Sequence, residues 1–165
     1  MSLFNRRGFL TLALTSGVAA CGFRPVYREG SQAIELKGLI RLPEARSPVT
    51  FAYRERLRRR FGDAGDNAAF LLESETEISE TALAITQASD VTRYRLTGTT
   101  KWRLINVEDG SVAMSDQVTA FTGYDATSSA YSVRSARKAA DERLATELAE
   151  LTITGLSAYS SENGA

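Results

Sequence analysis

The sequence predicts an α/β fold of the α+β sandwich type, with two helices packed on one face of a four-stranded, mainly antiparallel sheet in the order β-α-β-β-β-α. Three observations carry that reading. Residues 91–105 alternate apolar and basic with a period of two, and an Asp-Gly turn returns them into a second alternating run. Val49, Tyr53, Leu57 and Phe61 recur every four residues behind a Ser-Pro start. An alanine- and leucine-striped segment near the C-terminus has room for a long helix.

Taken in order, Ala33-Ile-Glu-Leu-Lys37 alternates weakly and predicts a short first strand, after which Gly38, Pro43 and Pro48 punctuate the chain. Ser47 is a suitable cap and Pro48 suits the first helical position, so a helix is expected up to Gly62. Arg58, Arg59 and Arg60 occupy its last turn, where the helix dipole favours cations. A solvated helix end is the commoner explanation of such a run, and a lipid-phosphate contact is the functional one.

Residues 70–86 read as a strand with a break in phase. Leu72, Ser74, Thr76 and Ile78 share one face and Glu73, Glu75 and Glu77 the other, whereas Leu83 and Ile85 are apolar on the opposite parity. A bulge or short bend near Glu80-Thr81 is expected to repair the phase. In residues 91–105, Tyr94, Leu96, Thr100, Trp102 and Leu104 form the side to be covered, leaving Arg93, Arg95, Lys101 and Arg103 on the open side. Val107-Glu-Asp-Gly110 makes the turn, and Val112, Met114, Val118, Ala120 and Tyr124 share one face of the returning strand. The last helix is expected from about Tyr131 to Leu151, with Ala136, Ala140, Leu144, Leu148 and Leu151 as its packing stripe. Arg137–Asp141 and Lys138–Glu142 make solvated pairs on it, and residues 157–165 are expected to be a disordered tail.

The first twenty residues stand apart from this domain. Arg6 and Arg7 precede an uncharged apolar run from Leu10 to Ala20, which has the layout of a secretory signal and is too short to span a bilayer. Arg6-Arg7-Gly8-Phe9-Leu10 resembles a twin-arginine export signal, with a plain signal peptide as the alternative. Val18-Ala19-Ala20-Cys21 resembles a bacterial lipobox, whose cysteine becomes the acylated first residue of the mature chain. The expected organisation is therefore a signal at 1–20, a lipidated tether at 21–32 and a single domain at 33–156. Cys21 is the only cysteine, so no disulfide forms within one chain.

Composition narrows the function classes. The mature residues carry 18 basic against 20 acidic side chains, a formal −2, which argues against nucleic acid as a partner. Histidine is absent, which excludes His-based acid–base catalysis, His–metal sites and a Ser-His-Asp triad. Neither a Gly-x-Ser-x-Gly elbow nor a glycine-rich phosphate loop is present, and Glu73, Glu75 and Glu77 have no nucleophilic or basic partner at motif spacing. The expectation is a protein without enzymatic activity, metal or cofactor.

Ala20-Cys21-Gly22-Phe23-Arg24-Pro25-Val26-Tyr27, Ala82-Leu83-Ala84-Ile85 and Thr92-Arg93-Tyr94-Arg95-Leu96, continuing into Tyr124-Asp125 and the alanine-rich last helix, resemble the outer-membrane lipopolysaccharide-assembly lipoprotein family LptE. The resemblance spans nearly the whole mature chain. It implies a lipid-anchored domain on the periplasmic side of the outer membrane, lodged in the lumen of the β-barrel LptD, assisting assembly of that barrel and binding lipopolysaccharide. Gly22 after the cysteine fits sorting to the outer membrane, and no catalytic residue is implied. The twin-arginine-like signal departs from what the family generally uses. On this reading Arg93, Arg95, Lys101 and Arg103 are candidate contacts to lipopolysaccharide or barrel, and neutralisation by the neighbouring glutamates is the competing account of their charge. A general periplasm-facing lipoprotein that binds lipid, glycan or peptide is the alternative function.

Overall fold

A computed structural model of the chain describes residues 36–85, 91–126 and 129–162. The signal, Cys21, the tether and Ala33–Glu35 lie outside the described residues. The elements are β1 (Ile40–Arg41), α1 (Pro48–Phe61), a 3₁₀ turn (Gly65–Asn67), β2 (Phe70–Ile85), β3 (Val91–Asn106), β4 (Val112–Asp125) and α2 (Ala130–Glu162). The sheet order is β1-β2-β3-β4, with β1 parallel to β2 and the other pairs antiparallel. The expected order of elements and the one-sided helix layer are both present.

Of the strand expected at 33–37, residues 33–35 lie outside the described residues and Leu36 and Lys37 fall in a turn, so the first strand among the described residues lies further along. Leu36 to Leu39 form a turn, in which Gly38 takes a φ of 76° and its N–H donates to the Phe61 carbonyl at 2.7 Å. The strand follows at Ile40 and Arg41, because Ile40 (0% exposed) and Leu42 (5%) are the residues whose alternation meets the core. Only Phe70 and Leu71 of β2 pair with it.

Local sequence sets α1. Ser47 Oγ accepts from the Thr50 N–H, and Thr50 Oγ1 accepts from the Ser47 N–H at 2.9 Å, closing a capping box ahead of Pro48. Gly62, at a φ of 77°, ends the helix by donating its N–H to the Arg58 carbonyl. Val49, Tyr53, Leu57 and Phe61 are buried as the four-residue spacing predicts.

α1 packs beside α2, and their contact includes one buried polar link. The Tyr53 hydroxyl donates to Thr152 Oγ1 at 3.0 Å, and Thr152 donates in turn to the Leu148 carbonyl. Burial pushes the Tyr53 hydroxyl up to about 12, so it remains a neutral donor across the physiological range. Arg56 pairs with Glu150 at the rim of the same contact.

Even-numbered residues of β2, β3 and β4 build the covered face. Leu72, Leu96, Thr100, Trp102 and Leu104 are at most 1% exposed, and Thr76 and Thr100 join their hydroxyls at 2.9 Å. Breaks in the strand register place side chains differently from the simple parity. The phase change in β2 falls at Leu83, between Ala82 and Ala84, and not at Glu80-Thr81. Glu80 is the reason: it holds the covered-face register by accepting from the Tyr124 hydroxyl at 3.1 Å and from Arg137, so the strand slips only beyond it. In β4, Ile105 pairs with Val112 while Leu104 pairs with Met114, so Ala113 is the extra residue. Val112 is thereby turned outward and is 51% exposed, leaving the face it was expected to share with Val118, Ala120 and Tyr124.

α2 is longer than its leucine stripe suggested. Residues 157–162, expected as tail, are helical, and 163–165 lie outside the described residues. The extension is stabilised by burial of Thr152, Ile153, Leu156 and Ser157. Leu151, placed in the packing stripe from the sequence, is 36% exposed. The buried face moves round the helix from Ala140 and Leu144, over the sheet, to Thr152 and Leu156, where α1 also covers it, and this turns Leu151 outward.

Candidate functional site

Because both helices lie on the even-numbered face, the odd-numbered face of β2, β3 and β4 is open. β2 lines it with Glu73, Glu75 and Glu77, β3 with Arg93, Arg95, Thr97, Thr99, Lys101 and Arg103, and β4 with Ser115, Gln117, Thr119, Phe121 and Asp125. All four basic residues singled out from the alternation are exposed on it. They form two pairs and not a continuous ladder: side chains two apart are about 7 Å from one another, whereas Arg95 and Lys101 are separated by roughly 20 Å of strand.

The four cations differ in their partners. Arg103 is opposite Glu73 in register and pairs with it at 2.6 Å, and Arg93 is opposite Asp125 and pairs with it at 2.7 Å. The hydrogen bond from Arg93, reinforced by its charge, holds the Asp125 carboxyl below the usual carboxylate range. Arg95 instead places its guanidinium over the Phe121 ring, 5.9 Å from the centroid. Lys101, flanked in register by Glu75 and Gln117, makes no ion pair among the described residues. Neutralisation therefore accounts for Arg93 and Arg103, but leaves Arg95 and Lys101 available to an anion.

Phe121 is 74% exposed and sets an apolar ring beside Arg95, among the polar side chains of this part of the open face. Its odd position in β4, opposite in parity to Val118, Ala120 and Tyr124, is a signal that the sequence does contain. A second feature has no such signal. On the covered side, Arg137 of α2 pairs with Glu80 of β2 as well as with Asp141 at 3.1 Å, and lies over the Tyr124 ring. Tyr124 in turn stacks on Tyr94 at 5.2 Å between centroids. From the sequence Arg137 and Asp141 are a solvated helical pair; in the structure they tie α2 to the far end of the sheet.

Among the described residues, no group of three or more carboxylates, cysteines or histidines is placed to hold a metal ion, and no helix is long and apolar enough to cross a membrane. The described residues form a one-sided α+β domain that presents an open, charged sheet face. The chain belongs to the lipopolysaccharide-assembly family LptE, which matches it over residues 39–155. The matched segment begins just before β1 and ends within α2, so it takes in the whole sheet, all of α1 and most of α2.

Solved structures share the fold. A protein of Caulobacter crescentus CB15, assigned as a lipoprotein, is similar at a TM-score of 0.62 and 20% identity, over 78% of this chain and 96% of that one. Rare lipoprotein B of Shewanella oneidensis is similar at 0.55 and 17%, over 75% and 96%. A minor lipoprotein of Acinetobacter baumannii is similar at 0.55 and 16%, over 72% and 88%. At these identities the likeness is one of architecture. No curated protein matches the sequence significantly.

Proposed function

We propose that this chain is the non-enzymatic lipoprotein subunit of an outer-membrane lipopolysaccharide translocon, anchored on the periplasmic side through acyl groups on Cys21, seated in an LptD-like β-barrel and binding lipopolysaccharide. The observation that carries the reading is the open sheet face, charged and uncovered, in a chain of the lipopolysaccharide-assembly family. Two or three acyl chains suffice for stable anchoring, whereas one gives only marginal binding. A protein held in this way needs no membrane-spanning helix.

The test is purification of the tagged protein from its own outer membrane. A large β-barrel should copurify with it, and mass spectrometry should show a lipid-modified N-terminal Cys21. Recovery of the chain alone with an acylated cysteine would favour a general binding lipoprotein. An unmodified Cys21 in membrane-derived material would remove the anchor.

Lipopolysaccharide phosphate is matched to the cations that have no carboxylate partner. Charge reversal of Arg95 and Lys101 together should weaken binding of purified lipopolysaccharide by roughly tenfold at low salt, at about 1 kcal/mol or less for each exposed charge. The loss should shrink at high salt, because the screening length falls from roughly 10 Å at 0.1 M to about 3 Å at 1 M. Reversal of Arg93, already held by Asp125, should have the smaller effect. Equal binding by all variants at both salt levels would assign this face to the barrel wall.

A further inference from the structure

α1 carries a surface that neither the core nor the open sheet face uses. Its buried stripe of Val49, Tyr53, Leu57 and Phe61 fixes which side is outward, and that side presents Phe51, Glu55, Arg58 and Arg59. Phe51 is 57% exposed, and Arg58 lies two turns along on the same side. α1 holds five arginines against one glutamate, a formal +4, in mature residues whose formal total is −2. The remainder of the mature chain therefore carries −6. Partial neutralisation is visible, since Arg54 pairs with Asp63, Arg56 with Glu150 and Arg58 with Glu55. Asp63 and Glu150 draw Arg54 and Arg56 toward the flanks of the helix, whereas Arg58 and Arg59 stay exposed on the outward side.

We infer that in the acylated protein, before it joins its barrel, the outward side of α1 docks on the anionic lipid surface to which Cys21 is anchored, with Phe51 entering the headgroup layer and Arg58 and Arg59 facing lipid phosphates. The inference rests on the acylation of Cys21 in the proposed function. Charge complementarity selects this side: an anionic surface attracts α1 and repels the rest of the mature chain. The tether allows it, since the fifteen residue-to-residue steps from Cys21 to Leu36 span at most about 54 Å. Arginine holds phosphate with paired hydrogen bonds, and a phenylalanine beside it adds apolar burial at the interface. Docking would orient the domain by its helix layer and leave the open sheet face away from the lipid.

In the acylated chain Phe51→Cys supplies the one free thiol, which can carry a nitrobenzoxadiazole fluorophore; Phe121→Cys on the open sheet face is the control. Each is reconstituted into phosphatidylethanolamine–phosphatidylglycerol vesicles containing a nitroxide-labelled lipid, and into phosphatidylcholine vesicles with the same quencher. The fluorophore at position 51 should be quenched in the anionic vesicles, much less so in phosphatidylcholine or at high salt, and the fluorophore at position 121 in neither. Arg58→Glu with Arg59→Glu should abolish the quenching. Arg59→Gln alone, which leaves the Arg58–Glu55 pair standing, should weaken docking by about fivefold, the worth of one cation near an anionic surface.

A chain that floats with the vesicles while position 51 is no better quenched than position 121 would overturn the docking and leave the acylation intact. Protection of position 51 from an aqueous quencher only when the barrel is added would overturn it in favour of a protein contact. A chain that does not float, and whose Cys21 also takes the fluorophore, would remove the anchor and the docking together.

Discussion

Truncation of Trp102 to alanine is expected to destabilise the domain by about 3–5 kcal/mol, the range for removing a large aromatic from a packed core. Trp102 is 1% exposed in the middle of β3, on the covered face between Thr100 and Leu104. Its ring is so close to α2 that a Cβ added at Gly155 would come within 2.9 Å of it. The backbone of α2 therefore rests against the indole at Gly155, and its removal leaves a space in the packed layer. The indole N–H is buried and has no hydrogen-bond partner among the described residues. Since an unmade buried bond itself costs about 1–3 kcal/mol, Trp102→Phe should lose less than the alanine variant, about 1–2 kcal/mol. Denaturant melts of the mature chain, followed by circular dichroism, check both values. A change near zero for the alanine variant would put the helices on the other face of the sheet and exchange the roles of the two faces.

Gly98→Val should destabilise by about 1–3 kcal/mol, the usual cost of overpacking a filled core. Strand preference alone points the other way: glycine weakens a strand interior, and valine is among the best strand formers, on a scale spanning about 1 kcal/mol. Contact decides the sign. A Cβ at Gly98 would lie 2.9 Å from Leu148 Cδ1 and 3.1 and 3.2 Å from Leu144 Cδ2 and Cγ, so α2 rests directly on the backbone of β3 at this point. Leu148→Ala in the same chain opens that space, and the two substitutions together should cost at least about 1 kcal/mol less than the sum of the separate ones, as expected for residues in contact. Stabilisation by Gly98→Val, or strict additivity with Leu148→Ala, would show that α2 does not cross the sheet here.

The two glycines show where a sequence pattern stops being informative. Gly98 interrupts an alternating strand and Gly155 sits inside a helix, and in isolation each is merely an unfavourable residue. Both are positions where the helix layer and the sheet come too close for a side chain. The same division runs through the candidate site. That Arg93, Arg95, Lys101 and Arg103 share the open face follows from period-two alternation. Which of them are neutralised depends on Glu73 and Asp125, 30 and 32 positions away from Arg103 and Arg93, through the strand register.

By itself the sequence determined the two faces of the sheet, the limits of α1 and the burial of Trp102, because each is a local property. Alternation assigns a face whichever strand lies beside it, and the Ser47–Thr50 box and Gly62 satisfy the helix ends within a few residues. The lone Cys21 at the end of an apolar run is likewise a local pattern. Tertiary structure alone decided the position of β1, the bulges at Leu83 and Ala113, the outward turn of Leu151 and the length of α2. It also decided that Arg93 and Arg103 have carboxylate partners while Arg95 lies over Phe121. These features are sums of contacts between segments far apart in the chain: the bond of Glu80 to Tyr124 and Arg137 moves a bulge by two or three residues, and α1 covers the end of α2 that the leucine stripe alone would leave to solvent. Local periodicity states which side of an element is apolar, but only the packed chain states what that side meets.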